Sequence, residues 1–218
     1  MSIRVLIADD HPLVRDGLRF VIERSDKGIE VVGEASDGLE ALKVAEGNPV
    51  DVFILDVTMP CLNGLETARE LIRKHPACRI IMLSIHDSQA MIEEAIKAGA
   101  HGYLTKEAAG RIMVDAICEV FAGGFYFSPD ITHVLVDKFR MGGRRKPGFS
   151  KRVAYLTSQE RIVLQRIAEG LTTKEIAADL GRTVNTVQSH RKNLMAKLNI
   201  HKETDLVRFA IKEGIAKP

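Results

Sequence analysis

Five side chains that can take part in chemistry stand at the ends of short apolar runs in this sequence. Asp9 and Asp10 end the first run, Asp56 ends a second, and Ser84 and Lys106 end two more. A carboxylate in such a place can be a nucleophile, a metal ligand or a general base. If the five meet, they form an anionic oxygen site that suits Mg2+, with a cation and a hydroxyl beside it that suit a phosphoryl group.

The elements that must carry these side chains alternate between strand and helix. Apolar runs bounded by turn residues predict strands at about residues 4–10, 30–34, 52–56, 79–84 and 102–106. Apolar residues at helical spacing predict helices at about 12–24, 38–46, 65–74, 89–98 and 111–122. This alternation indicates an α/β fold with a five-stranded, doubly wound parallel sheet. Ligands bind at the carboxyl ends of such strands, so we expect the polar strand ends to lie together there.

Taken together, these groups predict phosphoryl chemistry more strongly than any of them does alone. Adjacent acids after a strand often only begin a loop, and a single lysine is usually a solvated surface residue. Acids, a hydroxyl and a lysine at the ends of four strands of one sheet agree too well for that explanation. Asp56 can then accept a phosphoryl group as a nucleophile, while a metal offsets charge and Lys106 and Ser84 hold the product.

These residues resemble the receiver domain of two-component response regulators over about residues 3–123. The resemblance implies a flavodoxin-like fold in which Asp56 is phosphorylated by a sensor histidine kinase. It rests on the Asp9-Asp10 pair, Leu55-Asp56-Val57-Thr58-Met59-Pro60 with Gly64, Ser84, and Gly102-Tyr103-Leu104-Thr105-Lys106.

The same resemblance implies roles for the residues around the phosphoacceptor. Ser84 and Tyr103 would be a switch pair, in which Ser84 moves to the phosphate and Tyr103 turns into the space that opens. Lys106 would assist the transfer as a catalytic cation. The Mg2+ site would be formed by Asp10, Asp56 and the main-chain carbonyl of Thr58, with Asp9 acting mainly through water.

Length and composition place this unit in a larger, two-part chain. The 218 residues are enough for two domains, and a 45% hydrophobic content is ordinary for a globular protein. We expect a cytoplasmic protein with no membrane segment, because no signal peptide or spanning stretch is visible. The three cysteines have no metal-type spacing, so reduced thiols are expected.

Charge is divided unevenly along the chain. Residues 1–137 carry 13 Lys and Arg against 22 Asp and Glu, a net charge of −9. Residues 138–150 carry 5 basic and no acidic residues, and residues 151–218 carry 13 basic and 7 acidic residues, a net charge of +6. The basic Gly- and Pro-containing stretch is typical of a linker. The basic end is therefore a candidate for binding a polyanion.

Residues 153–218 are predicted to be all helix, with four helices. Thr157 with Glu160 and Thr172 with Glu175 have the spacing of capping boxes, and Gly181 makes a turn before a third, longer helix. This order is typical of a helix-turn-helix. The core of the third helix is predicted to use Val184, Val187, Leu194 and Leu198.

The other face of the third helix has side chains that suit DNA. Amide and ammonium groups can bond base edges, and cations and hydroxyls can bond phosphates. An ordinary solvated helix face explains the polar stripe equally well on charge alone. The candidates for base edges are Asn185, Gln188, Ser189 and Lys192, and those for phosphates are Thr172, Thr173, Lys174, Thr186, Arg191 and Lys197.

Motifs in this region resemble the LuxR-type helix-turn-helix over about residues 153–215. They are Leu156-Thr157 through Glu160-Arg161, Ile167-Ala168-Glu169-Gly170, Lys174-Glu175-Ile176-Ala177 and Thr186-Val187-Gln188-Ser189-His190. A receiver joined to this domain resembles the NarL/FixJ family of transcriptional regulators. The family implies insertion of the third helix into the major groove of promoter DNA and a homodimer on two half-sites. The predicted domains are a receiver at 1–125, a linker region at 126–152 and the DNA-binding domain at 153–218.

Three functional hypotheses follow. The leading one is a regulator that is not an enzyme and whose DNA-binding domain the unphosphorylated receiver covers or misplaces. A second is an aspartate-nucleophile phosphatase, which commonly has an acid two residues after the nucleophile, where this chain has Thr58. A third is a receiver that is never phosphorylated and acts as a protein-binding module.

Overall fold

The chain folds around a sheet unit and a helical unit, each with its own buried apolar side chains. The computed structural model describes residues 2–85, 89–140 and 156–216. Two clusters of buried side chains cover the two faces of the sheet, and a third fills the helical unit. No described helix combines the length and the apolar character that crossing a bilayer requires.

The sheet unit is a parallel sheet with its strands in the order β2-β1-β3-β4-β5-β6. β3 is fully buried because helices cover both faces of the sheet, which explains its continuous apolar sequence. The strands are β1 (Ile3–Ala8), β2 (Ile29–Ala35), β3 (Val52–Asp56), β4 (Arg79–Ser84), β5 (Gly102–Thr105) and β6 (Tyr126–Phe127).

The helices of the sheet unit lie on its two faces. α1 and α5 pack on one face through side chains such as Leu18 and Met113, and α2, α3 and α4 pack on the other through Ala41, Leu71 and Ile92. Their bounds are α1 (Pro12–Glu23), α2 (Gly38–Gly47), α3 (Gly64–Lys74), α4 (Gln89–Lys97), α5 (Lys106–Phe121) and α6 (Pro129–Arg140).

The sheet has one strand more than the five predicted, so that number was wrong. β6 is only two residues long and pairs with Gly102 and Tyr103 of β5. So short a strand has no period-2 pattern that a sequence could show. After β6, Ile131 of α6 is fully buried in the sheet core. The segment assigned to the linker, 126–152, thus begins as part of this unit, and its residues 141–152 lie outside the described residues.

α5 begins at Lys106, five residues before the start that the sequence predicted. Thr105 has the extended backbone of an N-cap residue, with φ −74° and ψ 143°. Gly110 lies inside the helix, and because glycine has a low helix propensity, the sequence prediction began the helix after it. Lys106 therefore points its side chain into the site from the first turn of a helix, not from a strand.

The helical unit has the predicted four helices and both predicted capping boxes. Thr157 and Glu160 cap the first helix reciprocally, and Thr172 and Glu175 cap the second. Gly181, with φ +59°, makes the turn before the third helix. The helices are α7 (Ser158–Ala168), α8 (Thr173–Asp179), α9 (Val184–Leu198) and α10 (Glu203–Lys212).

Candidate functional site

The predicted acids and lysine converge at the carboxyl edge of the sheet. Asp9 directly follows β1 and Asp56 ends the neighbouring β3, and both side chains are buried. The Lys106 Nζ lies 2.9 Å from Asp56 Oδ2 and 2.6 Å from Asp9 Oδ2. One ammonium therefore bridges the carboxylates at the ends of two neighbouring strands, and the side chains lie together as we expected.

Burial and charge shift the acid–base behaviour of this cluster. Burial, reinforced by the neighbouring Asp9 carboxylate, raises the pKa of Asp56 despite the opposing effect of Lys106. Burial by itself would lower the pKa of Lys106, but the attraction of Asp56 and Asp9 outweighs it and the pKa is raised. The lysine therefore stays a cation, and the site keeps an excess of negative charge that a metal ion can offset.

The oxygen-rich cluster fits a divalent cation. One ligand atom from each of Asp9, Asp10, Asp56 and His11 lies within 4.8 Å of the others. Carboxylate oxygens are the ligands that Mg2+ prefers. His11 was missing from the predicted set, and its Nδ1 lies 2.8 Å from Asp10 Oδ1 and 3.1 Å from Asp9 Oδ1. Its place directly after the acid pair was the signal that could have found it.

The loop after β3 holds the predicted phosphoacceptor in place. The Thr58 backbone N–H donates to Asp56 Oδ1 at 3.2 Å, and the Gly64 N–H donates to the Val57 carbonyl at 3.0 Å. Cys61 in this loop has a positive φ of 61°, which is uncommon for a residue with a side chain. The loop is thus held in one conformation by its own hydrogen bonds.

Ser84 and Tyr103 lie on the strands that the sequence predicted, Ser84 on β4 beside Asp56 and Tyr103 on β5, the next strand out. Ser84 is buried and directly follows Leu83, the residue that pairs with Asp56. Tyr103 is fully buried in the core. The Tyr103 ring already lies inside the unit in this structure, and its inward turn on phosphorylation stays a prediction.

In the helical unit, α9 presents the side chains that were predicted to read bases. Asn185, Gln188, Ser189 and Lys192 are all exposed. Val187, Leu194 and Leu198 are buried in the core of the unit, as predicted. Val184 was also expected in the core but is 36% exposed, so that part of the prediction was wrong.

Two of the three cations predicted to contact phosphates, Arg191 and Lys197, are engaged within the helical unit. Arg191 Nη1 donates to Thr173 Oγ1 at 2.8 Å, and its Nη2 lies 2.8 Å from Glu203. Lys197 Nζ lies 2.7 Å from Glu160, the acid of the first capping box. These contacts orient both cations. Thr172, Lys174 and Thr186 lie at or near the surface, on the same unit.

A contact between the two units joins residues between which the sequence predicted no contact. Gln165 of α7 is fully buried and forms hydrogen bonds with Met59 and Asn63, in and after the loop that follows Asp56. Arg161 of the same helix lies 3.7 Å from Glu66 and 3.5 Å from Glu94. No local sequence pattern pairs residues about 100 positions apart, so only the structure could find this contact.

Comparisons with known proteins match both parts of the chain. Residues 5–118 match the response regulator receiver domain, and residues 154–210 match the bacterial regulatory proteins of the luxR family. The response regulator UvrY of Escherichia coli is 38% identical over 213 residues, which cover 98% of this chain and 95% of UvrY. The transcriptional regulatory protein MctR of Rhizobium johnstonii is 41% identical over 215 residues, with the same coverage of both chains.

Solved structures agree with this assignment. RcsB from Salmonella enterica serovar Typhimurium, bound to promoter rprA in the presence of phosphomimetic BeF3−, has a TM-score of 0.63 at 25% identity, covering 96% of this chain and 98% of RcsB. A LuxR-family response regulator from Aurantimonas has a TM-score of 0.61 at 35% identity, covering 64% of this chain and 99% of its own. The two family models match one after the other along this chain, and UvrY and MctR align with nearly the whole of it. The chain therefore belongs to the NarL/FixJ family of response regulators, in which a receiver domain precedes a LuxR-type DNA-binding domain.

Proposed function

We propose that this chain is a transcriptional regulator whose Asp56 accepts a phosphoryl group from a sensor histidine kinase. One observation carries the proposal: the Lys106 ammonium contacts both Asp56 and Asp9 at the edge of the sheet. A cation in this position can neutralise charge on a phosphoryl group attached to Asp56. A surface lysine with a merely solvating role would not be drawn between two buried acids.

The chain supplies the remaining parts of the reaction. An Asp56 carboxylate oxygen attacks phosphorus, and the phosphoryl group passes to it from the donor's phosphorus–nitrogen or phosphorus–oxygen bond. The Ser84 hydroxyl, on the neighbouring strand, can donate to a phosphoryl oxygen. Mg2+, when bound, would add positive charge against the transferring oxygens. The residues proposed to hold it are Asp9, Asp10, Asp56 and the main-chain carbonyl of Thr58.

The helical unit is proposed to bind promoter DNA through α9. Its exposed amide and ammonium side chains can reach base edges in the major groove, while the cations and hydroxyls around them contact phosphates. Solved structures of the relative RcsB include complexes with DNA and two dimers on two parallel DNAs. We propose a homodimer for this chain as well, since half-site DNA recognition usually mirrors a protein two-fold axis.

Phosphorylation is proposed to act on the position and pairing of the DNA-binding domains. The four base-reading side chains of α9 are exposed, so the receiver does not cover them here. This contradicts the version of the switch in which the unphosphorylated receiver hides the reading face. The version that remains is misplacement: two reading helices acquire the correct spacing only after the receivers pair.

Capture of genomic DNA by the purified protein, followed by mobility-shift and size measurements, tests the proposed function. We expect acetyl phosphate with Mg2+ to increase both the affinity for captured promoter DNA and the fraction of dimer. Equal affinity and equal oligomeric state with and without the phosphodonor would contradict the phosphorylation switch. Absence of any captured DNA in both samples would contradict the DNA-binding proposal.

Lys192→Ala tests the reading face of α9 with a charge-matched control. We expect about tenfold weaker promoter binding and a decrease of about 1 in the slope of log affinity against log salt, because one phosphate or guanine contact is lost. Lys212→Ala removes a lysine of α10 that is also exposed, and it is expected to leave both quantities unchanged. Equal losses in the two variants, measured by fluorescence anisotropy, would show that only net charge matters.

A further inference from the structure

Gln165 of the DNA-binding domain uses its whole amide group in four hydrogen bonds, three of them buried. Its Nε2 donates to the Met59 carbonyl at 2.7 Å and to Glu169 Oε1 at 2.9 Å. Its Oε1 accepts from the Asn63 backbone N–H at 3.2 Å and from Asn63 Nδ2 at 3.1 Å. A side-chain amide has two donor hydrogens and two acceptor positions, and all four are occupied. Such a fully satisfied, buried amide specifies one geometry.

The backbone that Gln165 holds belongs to the loop of the phosphorylation site. The loop leaves β3 at Asp56, passes through Thr58 and ends at Asn63, the N-cap of α3. Thr58 is fixed on one side by its N–H bond to Asp56, and Met59 directly after it is fixed by Gln165. The amide of Gln165 therefore clamps the loop at two points, one of them beside the proposed Thr58 ligand.

The charges around Gln165 favour the same docked arrangement. Arg161, one turn earlier on α7, lies close to two buried receiver acids, Glu66 and Glu94. The receiver is acidic and the DNA-binding domain is basic, so the two domains attract each other at short range. Because the reading face of α9 stays exposed in this arrangement, docking through α7 does not cover it.

We propose that Gln165 is a positioning residue for the Asp56 site, through which docking of the DNA-binding domain orders the loop that supplies the Thr58 carbonyl to Mg2+. The inference rests on the proposed function and extends it. Coupling between two binding events is reciprocal, so Mg2+ at the site also stabilises the docked arrangement. In this proposal, the DNA-binding domain contributes to the phosphorylation site and is not only regulated by it.

Gln165→Met in the full-length protein tests the inference, because methionine keeps the length and bulk of the side chain and removes its hydrogen bonds. Gln159→Met is the matched control, since Gln159 is exposed on the same helix. We expect calorimetry to show about fivefold weaker Mg2+ binding in Gln165→Met and no change in Gln159→Met. With acetyl phosphate, the Mg2+ concentration for half-maximal phosphorylation rises by the same factor, while the rate at saturating Mg2+ changes less than twofold.

The outcomes separate this inference from the proposed function. Wild-type Mg2+ affinity in Gln165→Met would overturn the inference, because a merely structural contact changes thermal stability and not metal affinity. Gln165→Asn, whose amide is one methylene too short to reach the loop, gives the same readout should the methionine variant not fold. Calorimetry needs no phosphate transfer, so a wild type that binds Mg2+ but never gains phosphate contradicts the proposed function alone.

Discussion

Asp56→Asn is expected to abolish phosphorylation completely. Wild-type protein incubated with acetyl phosphate and Mg2+ gains the mass of one phosphoryl group in an intact-mass spectrum, and the variant gains none. The carboxamide of asparagine has no anionic oxygen that can attack phosphorus. In the part of the chain that the structure describes, the ion pairs of Lys106 are with Asp9 and Asp56, so Asp56 is the nucleophile beside this cation. Peptide mapping of the wild type places the group on the peptide that contains Asp56.

The control for this result is Asp26→Asn, since Asp26 is an exposed acid of the same domain. It is expected to gain phosphate as the wild type does. The Asp56 variant itself is expected to melt at or above the wild-type temperature at neutral pH. The raised pKa of Asp56 shows that burial disfavours its ionised form in the fold, and asparagine removes that charge. Phosphate on another residue of Asp56→Asn, or a collapse of its melting temperature, would contradict this account.

The geometry of the acid and lysine cluster could be predicted because a parallel sheet brings distant strand ends to one edge. Asp9 and Asp56 are 47 positions apart in sequence, yet the pairing of β1 with β3 makes them neighbours. The apolar runs that end in these acids are visible without any structure. The prediction therefore needed only the type and order of the strands, and its error on the number of strands did not affect it.

Features that depend on side-chain contacts between elements could not be predicted in the same way. Lys197 has a charge and a position that suit a phosphate contact. The structure pairs it with Glu160, which also caps α7. The sequence predicts that Tyr103 lies on a strand, but it does not indicate which way the ring points. Gln165 resembles any polar residue of an amphipathic helix, and its burial follows only from the packing of one unit on the other.

The close packing of Gly64 against the end of β3 is the second feature on which the site depends, and Gly64→Ala tests it. A Cβ on this residue would lie 2.1 Å from the Asp56 carbonyl oxygen and 2.9 Å from its carbonyl carbon. Both atoms are backbone, so β3 or the start of α3 must move. We expect about 3 kcal/mol less stability in urea denaturation, at the upper end of the cost of overpacking. We also expect about 100-fold slower phosphorylation, because Asp56 itself shifts relative to Lys106.

Gly17→Ala separates this steric effect from the general effect of replacing a glycine. Gly17 lies inside α1, and nothing lies within 4 Å of the position its Cβ would take. Alanine there has the higher helix propensity, so we expect a gain in stability of about 1 kcal/mol and an unchanged phosphorylation rate. If Gly64→Ala kept the wild-type rate, the approach of α3 to the end of β3 would not position Asp56. The placement of the acid would then depend on the loop contacts of Thr58 and Gln165 alone.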